Sequence, residues 1–364
     1  RKAAEFSPIT GSRIMANERI GLGFIGAGGI VHTRHAPGFR KIGGVELVAV
    51  ANQSVESGQR AADALGIQKV CRDWCDLLAD PDVDAVVVGT WPYKHSEYSL
   101  AALEAGKHVF CQARLGMDAA DGRRMVEAAA GTGLTTMVCP PPHGMYVEPT
   151  VLRLMEKGIL GELRQIIVRG LNPDLMDPNV PLHWRQSSEY SGLHTQQLGI
   201  LMEVAGRWFG YPVRVQARQA TFVEERMQRS GSGVAKVERP DVISVLGDLE
   251  GGAQFGLTMS GVAGGVGSTT IEGFGTQASL RFTMNAGFET ETLLLATAPT
   301  WESMPVDIQA KDAGGWWVEE EFIQAIQEGR NGRPSWEEAL QYMQFVEAVD
   351  IAARTGYTVE LSDV

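Results

Sequence analysis

The sequence is poor in cysteine, in long apolar runs and in basic residues. Its four cysteines, Cys71, Cys75, Cys111 and Cys139, include one close pair but not the second pair that a zinc site needs, so we interpret them as reduced thiols. No apolar run approaches the roughly 20 residues that span a bilayer. The chain has 32 lysines and arginines against 44 aspartates and glutamates. The resulting net charge of -12 disfavours a surface that binds nucleic acid or an anionic membrane.

The composition is otherwise that of a globular protein, with 44% hydrophobic and 21% charged residues in a chain of 364 that suits two domains. We expect a cytoplasmic protein that binds small molecules. The residues before Met15 look vector-derived, so residues 1–15 are expected to carry no function. No Gly-x-Ser-x-Gly motif of a serine hydrolase is present, and the histidines lack metal-helix spacing, so no metal site is expected.

A glycine-rich turn near the start of the chain is typical of dinucleotide binding. The letters Ile20-Gly-Leu-Gly-Phe-Ile-Gly26-Ala-Gly28-Gly29-Ile30 predict a buried strand, a tight turn and the start of a helix. Gly26 permits the turn, and Gly28 lets the backbone approach a pyrophosphate at the N-terminus of the helix. Val31 stands where a small residue is usual. Spacing alone leaves an ordinary strand-to-helix turn equally open.

Short apolar runs then alternate with helix-like segments. The predicted strands are 45–51, 83–88, 108–111 and 135–139, and the predicted helices are 56–65, 96–105 and 119–130. Parallel strands need crossover connections, so this alternation predicts a doubly wound parallel sheet in a first domain spanning residues 16–138. The stiff run Pro140-Pro141-Pro142 follows as a natural boundary.

Residues 139–364 show a different pattern and predict a second α/β domain. A helix ends near Gly158, and strand candidates follow at 163–170, 213–223, 242–249, 253–259, 269–274 and 278–284. Hairpin signals at 248–252 and 275–277 indicate a large, mostly antiparallel sheet. A last helix over 336–355 is expected to pack back against a sheet.

Several motifs in order along the chain resemble the glucose-fructose oxidoreductase, inositol dehydrogenase and MocA (Gfo/Idh/MocA) family of nicotinamide-dependent enzymes. They are Asp84-Ala-Val-Val-Val-Gly-Thr90 leading to His95, Ala101-Ala-Leu-Glu-Ala-Gly-Lys-His-Val-Phe110, Lys157-Gly-Ile-Leu-Gly-Glu162 and the hairpin from Ile271 to Leu280. The resemblance implies a Rossmann domain that binds NAD or NADP, a sugar-like substrate, and an open C-terminal sheet that joins subunits into a homodimer or homotetramer.

The chain departs from the family where the resemblance implies chemistry. The family's Glu-Lys-Pro, with a lysine beside the nicotinamide, is replaced by Gln112-Ala113-Arg114. The family's second motif is a glycine cluster followed by Asp-x-Gly-x-His. If Gly199 corresponds to the glycine between its aspartate and histidine, Gln197 replaces the aspartate and Leu201 replaces the histidine. Hydride transfer at a carbinol carbon needs a nearby group that can move a proton, and none of these replacements can do so.

Two residues are candidates for a relocated acid or base. His194 lies at i, i+3, i+7 spacing with Gln197 and Leu201, which predicts one helical face and makes His194 and Gln197 catalytic candidates. Lys94 could replace the absent lysine from the loop after the fourth strand. The alternatives remain a hydrogen-bonded structural histidine and a solvent-exposed lysine.

Other polar and aromatic residues near these motifs are assigned to ligand binding. Arg114 could clamp an anion or form a structural salt bridge, and Trp184 could stack on a sugar ring or on the core. Asn52-Gln53-Ser54 ends the second strand without an acidic residue, which leaves both NAD and NADP open. The substrate-binding candidates are Gln112, Arg114, His143, Trp184, Arg185 and Tyr93, and the cofactor-binding candidates are Gly26, Gly28, Gly29, Ile30, Asn52, Gln53, Ser54, Thr90, Trp91, His95 and Gln112.

The resulting hypothesis is an NAD(P)-dependent oxidoreductase for a sugar, polyol or related carbonyl compound, with a non-standard acid/base site. One alternative is a redox-neutral lyase, epimerase or glycosidase that retains NAD. Another is a nucleotide-binding protein without catalysis.

Overall fold

A computed structural model describes residues 19–231, 233–285 and 290–364, so the predicted tail lies outside the described residues. The chain forms two compact units. The parallel-sheet unit contains residues 19–140 and 317–340, and the mixed-sheet unit contains residues 141–316 and 341–364. Among the helices of the described chain, none combines the length and the apolarity needed to cross a membrane.

The first part of the chain alternates strands and helices. Its elements are β1 (Ile20–Ile25), α1 (Ala36–Arg40), β2 (Val45–Ala51), α2 (Val55–Leu65), β3 (Lys69–Val70), α3 (Trp74–Leu78), β4 (Ala85–Val88), α4 (His95–Glu104), β5 (His108–Cys111), α5 (Ala119–Ala129) and β6 (Thr136–Val138). All strand pairs among them are parallel, in the order β3-β2-β1-β4-β5-β6. The predicted doubly wound sheet is confirmed. Every residue of β1 and β4 is buried, as expected of strands covered on both faces.

The rest of the chain builds a larger sheet with helices. Its elements are α6 (Glu148–Glu156), β7 (Leu163–Leu171), α7 (Ser188–Ser191), α8 (Leu198–Phe209), β8 (Pro212–Ala220), β9 (Glu225–Met227), β10 (Val234–Lys236), β11 (Val242–Leu249), β12 (Gln254–Ser260), β13 (Ser268–Gly275), β14 (Ala278–Asn285), β15 (Glu291–Thr297), β16 (Ser303–Pro305), α9 (Val318–Glu328), α10 (Trp336–Thr355) and β17 (Val359–Glu360). The strand order is β16-β15-β14-β13-β7-β12-β11-β8-β17, with β9 and β10 forming a separate hairpin.

The nine-stranded sheet is mostly antiparallel, as predicted. Among its described pairs, only β7 with β12 is parallel. Alternate residues, such as Ile166 and Val168 of β7, are buried in a core that also contains Leu201 of α8 and Phe345 of α10. The intervening residues point to the opposite face of the sheet, where Leu246 is 66% exposed.

The chain returns to the parallel-sheet unit after the mixed sheet. The backbone N–H of Val138 in β6 donates to the carbonyl of Pro334 at 3.1 Å, and the indole N–H of Trp336 donates to the carbonyl of Met137 at 3.2 Å. The sequence prediction placed the whole chain after residue 138 in one domain. Residues 317–340 instead belong with the parallel sheet, because they supply partners for its edge strand.

Candidate functional site

The glycine turn lies at the carboxyl end of β1, between the ends of β2 and β4. The N–H of Gly26 donates to Ala51 at 2.9 Å, and the N–H of Gly89 donates to Ile25 at 2.9 Å. Gly26 has φ +84°, and a Cβ there would lie 2.5 Å from Cγ2 of Thr90. Both the conformation and the space therefore require glycine at this position.

Gly28 and Gly29 are not explained by packing within the protein. A Cβ on Gly29 would meet no atom within 4 Å, and one on Gly28 would meet only the carbonyl oxygen of Gly89, at 4.0 Å. The hydroxyl of Thr90, on the adjoining loop, is buried without a hydrogen-bond partner among the described residues. An open backbone cradle at the start of a helix fits a dinucleotide pyrophosphate. Ile30, in the next position, is 37% exposed.

The Asn52 side chain forms hydrogen bonds with both the glycine turn and α2. Its Oδ1 accepts the N–H of Ala27 at 2.7 Å, and its Nδ2 donates to the carbonyl of Ser57 at 3.0 Å. Gln53 and Ser54 are exposed, and the Ser54 hydroxyl caps α2 by accepting the N–H of Ser57. The end of β2 therefore presents no carboxylate to a nucleotide ribose.

The loop after β4 carries the candidates Trp91, Tyr93, Lys94 and His95. Trp91 and Tyr93 are 46% and 39% exposed. Lys94 Nζ donates to the Glu97 carboxylate at 2.6 Å, and this hydrogen bond raises the pKa of Lys94. A lysine held as a cation in this way is unsuited to act as a base.

His95 joins two loops of the parallel-sheet unit. Its imidazole is fully buried, with Nδ1 2.6 Å from the carbonyl oxygen of Arg114 and Nε2 3.0 Å from that of Thr90. Burial lowers the pKa of His95. Because the ring spans the loops after β4 and β5, its geometry is that of a crosslink. Arg114, the replacement in the family's Glu-Lys-Pro motif, is itself only 1% exposed.

Gln112 belongs to a buried polar network. Its Oε1 accepts the N–H of Ala113 at 3.0 Å, which turns its Nε2 toward Nε2 of His35. His35 Nδ1 lies 2.5 Å from Oε1 of Glu319, and both side chains are at most 1% exposed. Since the Gln112 amide nitrogen only donates, His35 accepts at Nε2 and donates from Nδ1 to the Glu319 carboxylate. These contacts join Gln112, His35 and Glu319 in one buried hydrogen-bonded chain.

Sequence reasoning missed His35 and Glu319. His35 ends the π-helical segment Val31–His35 directly after the glycine turn, so its position near the turn was a usable signal. Glu319 reaches the network from α9, which the sequence prediction did not assign, and no local pattern points to it.

In the mixed-sheet unit, the predicted helical face is wrong. Helix α8 begins at Leu198, so His194 and Gln197 precede it in a series of turns, in which the N–H of His194 donates to the carbonyl of Ser191. His194 is 1% exposed. Leu201 is fully buried in the sheet core. The three residues therefore share no helical face, because the chain between His194 and Gln197 is not helical.

The remaining substrate candidates also lie in the mixed-sheet unit. Arg185 and Trp184 form part of a 3-10 turn, with the Arg185 guanidinium carbon 4.2 Å from the centre of the Trp184 ring. Burial lowers the pKa of Arg185 to about 10. His143 is 2% exposed, and burial lowers its pKa to about 4.

Metal binding has no candidate in the part of the chain that the structure describes. Across residues 19–231, 233–285 and 290–364, no three histidine, cysteine or acidic side chains are grouped so that they could hold an ion.

Comparison with known proteins agrees with the cradle. Residues 20–139 match the profile of GFO_IDH_MocA, described as an oxidoreductase family with an NAD-binding Rossmann fold. This segment belongs to the Gfo/Idh/MocA family. It includes every cofactor-binding candidate given above, so the predicted nicotinamide cofactor class is confirmed at the level of the family.

Named relatives align with this chain over part of their length. A levoglucosan dehydrogenase of Pseudarthrobacter phenanthrenivorans is 27% identical over 190 residues, which are 51% of this chain and 48% of that protein. A 1,5-anhydro-D-fructose reductase of Ensifer adhaerens is 42% identical over 31% of this chain and 33% of its own. The aligned part thus spans about half, or less, of these relatives.

The fold likeness extends further. A solved structure of levoglucosan dehydrogenase in complex with NADH and levoglucosan has a TM-score of 0.84 and 22% sequence identity, and the match covers 94% of this chain and all of that one. At this identity the match establishes the fold, including the second α/β domain that the sequence predicted.

Proposed function

We propose that this protein is an NAD(P)-dependent oxidoreductase that acts on a sugar, polyol or related carbonyl compound. The observation that carries the proposal is the open cradle at Gly28 and Gly29, at the carboxyl ends of the parallel strands of a Gfo/Idh/MocA segment. Relatives named for levoglucosan, 1,5-anhydrofructose and inositol support a carbohydrate-like substrate.

The bound nicotinamide would supply or accept the hydride. The backbone around Gly28 and Gly29 would hold the pyrophosphate, and the protein must still move a proton at the substrate oxygen. Lys94 is held as a cation by Glu97, and Gln197 and Leu201 do not titrate. We assign proton transfer to His194, the imidazole in the segment where the family resemblance places its acid/base pair.

The test separates proton transfer from nucleotide binding. His194→Ala should lower kcat by about 10²- to 10⁴-fold, the usual contribution of a positioned acid or base, with little change in nucleotide Kd. His194→Gln retains hydrogen bonding without titration and should be similarly slow. Unchanged turnover in both variants would refute the assignment of His194.

Nucleotide released from denatured protein distinguishes the rival functions. An oxidoreductase exchanges its cofactor and produces a stoichiometric change in nicotinamide absorbance. Retained NAD with product but no net absorbance change would support the redox-neutral alternative. Nucleotide binding without turnover of any sugar or polyol would support a protein that only binds.

Asn52 is proposed to leave both cofactors acceptable. Its amide is engaged by Ala27 and Ser57, so no charge at the end of β2 repels a 2′-phosphate. Asn52→Asp should weaken NADP relative to NAD by about tenfold or more, since a like charge about 4 Å away costs on the order of 1–4 kcal/mol. Gln59→Glu, one to two turns along α2, is the control. An unchanged ratio of the two Kd values in Asn52→Asp would contradict this role.

The open face of the nine-stranded sheet is proposed to join copies of the chain into a dimer or tetramer. Leu246 on this face is 66% exposed. Three strands away in register, Glu272 forms ion pairs with Arg169 (2.7 Å) and Arg281 (2.6 Å). Leu246→Asp should shift the mass measured by light scattering toward the monomer. Arg60→Asp, on α2, should not. A monomeric wild-type protein would refute the proposal.

A further inference from the structure

The Arg185 guanidinium is a cation without a counter-charge. Its Nε atom is buried and lacks a hydrogen-bond partner, and no carboxylate in the described chain forms an ion pair with it. The guanidinium lies over the ring of Trp184. Removing a charge from water without a partner is unfavourable.

Other shielded arginines of the same unit are compensated. Arg207 binds Glu148 at 2.9 Å and Glu203 at 2.6 Å. Arg226, which is 1% exposed, donates to three backbone carbonyls. Arg239 binds Asp350 at 3.3 Å. The Nε atoms of Arg226 and Arg239 also lack a hydrogen-bond partner, but acceptors among the described residues bind the rest of each guanidinium. Arg185 differs in that no described carboxylate or carbonyl accepts from its guanidinium.

The backbone around Arg185 is fixed. The His183 ring accepts the backbone N–H of Arg185 at 3.2 Å and caps the 3-10 turn. The next carbonyl, of Gln186, accepts the N–H groups of Glu238 at 2.9 Å and Arg239 at 3.2 Å. Stacking on Trp184 covers one face of the guanidinium, so an anion must approach its edge. There, two parallel N–H groups can donate to the two oxygens of a carboxylate.

We propose that Arg185 binds a carboxylate of the substrate, which makes the substrate a sugar acid or a related small hydroxy or oxo acid. This inference rests on the proposed oxidoreductase function and narrows its substrate class. One guanidinium balances the single charge of a carboxylate, whereas a phosphate monoester carries nearly two charges at neutral pH. Arg185 acts in binding and takes no proton, because it stays charged at neutral pH.

The experiment compares matched ligands. Glucuronate and galacturonate are measured beside glucose, galactose and glucose 6-phosphate, by thermal shift with nucleotide present and by KM and kcat. Wild-type protein should bind at least one acid about 10- to 100-fold more tightly than its neutral counterpart, as expected of a charge-assisted pair. Tighter binding of the phosphate, or no preference for an acid, would overturn the proposal.

Variants at Arg185 separate binding from structure. Arg185→Gln should raise KM for the acid by about 10- to 100-fold and leave kcat and the neutral sugar nearly unchanged. Arg185→Lys should recover part of the loss. Arg214→Gln, which breaks an exposed pair with Asp248, is the control. An equal loss for acid and neutral ligands in Arg185→Gln and Arg185→Lys would identify a structural arginine and overturn the proposal.

The two proposals fail in different ways. A sugar acid that binds through Arg185 without reducing or oxidising nicotinamide would leave the anion site standing and refute the oxidoreductase. If wild type and Arg185→Gln oxidise a neutral sugar equally well and neither prefers an acid, the oxidoreductase stands and the anion site is refuted.

Discussion

Replacing His35 by alanine tests the buried network beside the nucleotide cradle. The change removes the donor to Glu319 and the acceptor for Gln112, and both neighbours are at most 8% exposed. It also removes a ring whose centre lies 5.0 Å from that of Phe110. The substitution therefore leaves a buried carboxylate without its histidine donor.

The expected cost is large. Each buried group that loses a hydrogen-bond partner costs about 1–3 kcal/mol, so the losses at Glu319 and Gln112 together cost about 2–6 kcal/mol. At about 2–4 °C per kcal/mol for a unit of this size, the melting temperature should fall by about 4–24 °C. Arg214→Ala, which breaks an ion pair whose arginine is 51% exposed, should leave the melting temperature nearly unchanged and is the control.

A second substitution tests the cause of the loss. If the cost comes from the stranded charge, Glu319→Gln in the His35→Ala background should restore part of the stability, since it removes the buried carboxylate. Calorimetry of the wild type, the single variants and the double variant measures this coupling. The reasoning is refuted if His35→Ala costs no more than Arg214→Ala, or if the double variant is less stable than His35→Ala.

Three further predictions use the same structure. Gly26→Ala should destabilise the protein by at least about 1–2 kcal/mol, because residue 26 has φ +84°. Gly29→Ala should change stability by less than about 0.5 kcal/mol and weaken nucleotide binding. Melting temperatures and nucleotide Kd values equal to those of the wild type in both variants would contradict these predictions. Gly38→Ala, ordinarily stabilising in a helix, should lower the melting temperature, because its Cβ would lie 2.8 Å from the carboxyl carbon of Glu319; a rise would count against that contact. The pKa of His143 in the folded protein is about 4, below the ordinary value of 6.5. The neutral, buried imidazole therefore contributes to the free energy of unfolding above pH 6.5, and this contribution, about 3 kcal/mol in all, is lost as the pH falls toward 4. The melting temperature of His143→Gln should fall less steeply with decreasing pH than that of the wild type, and equal slopes would contradict the prediction.

Local patterns predicted the main elements well. The bounds of β2, β5, β11 and α10 agree with the predicted ranges, because apolar runs and helical periodicity mark them directly. The glycine turn was recognisable because Gly26 serves a local conformation. In contrast, α9 was not predicted. Its place in the parallel-sheet unit depends on contacts that are distant in sequence, such as those of Phe322 with Phe39 of α1 and Phe110 of β5.

The candidate site was only partly predictable. Spacing suggested that His194, Gln197 and Leu201 share a helical face, but α8 begins after the first two. The reason is that i, i+3, i+7 spacing fits a helix only if the backbone is helical throughout, and Gly192 (φ +61°) and Gln196 (φ +47°) interrupt it. The pairing of Lys94 with Glu97 was readable from the sequence, since an i, i+3 pair meets on one helical turn.

The sequence by itself determined the two kinds of sheet and the position of the glycine turn. Each of these depends on residues close together in the chain. Only the tertiary structure decided that His35, Gln112 and Glu319 meet, that Leu201 lies in the core and that Arg185 forms no ion pair with a carboxylate of the described residues. Burial and pairing depend on which distant segments pack together, and no local pattern encodes that choice.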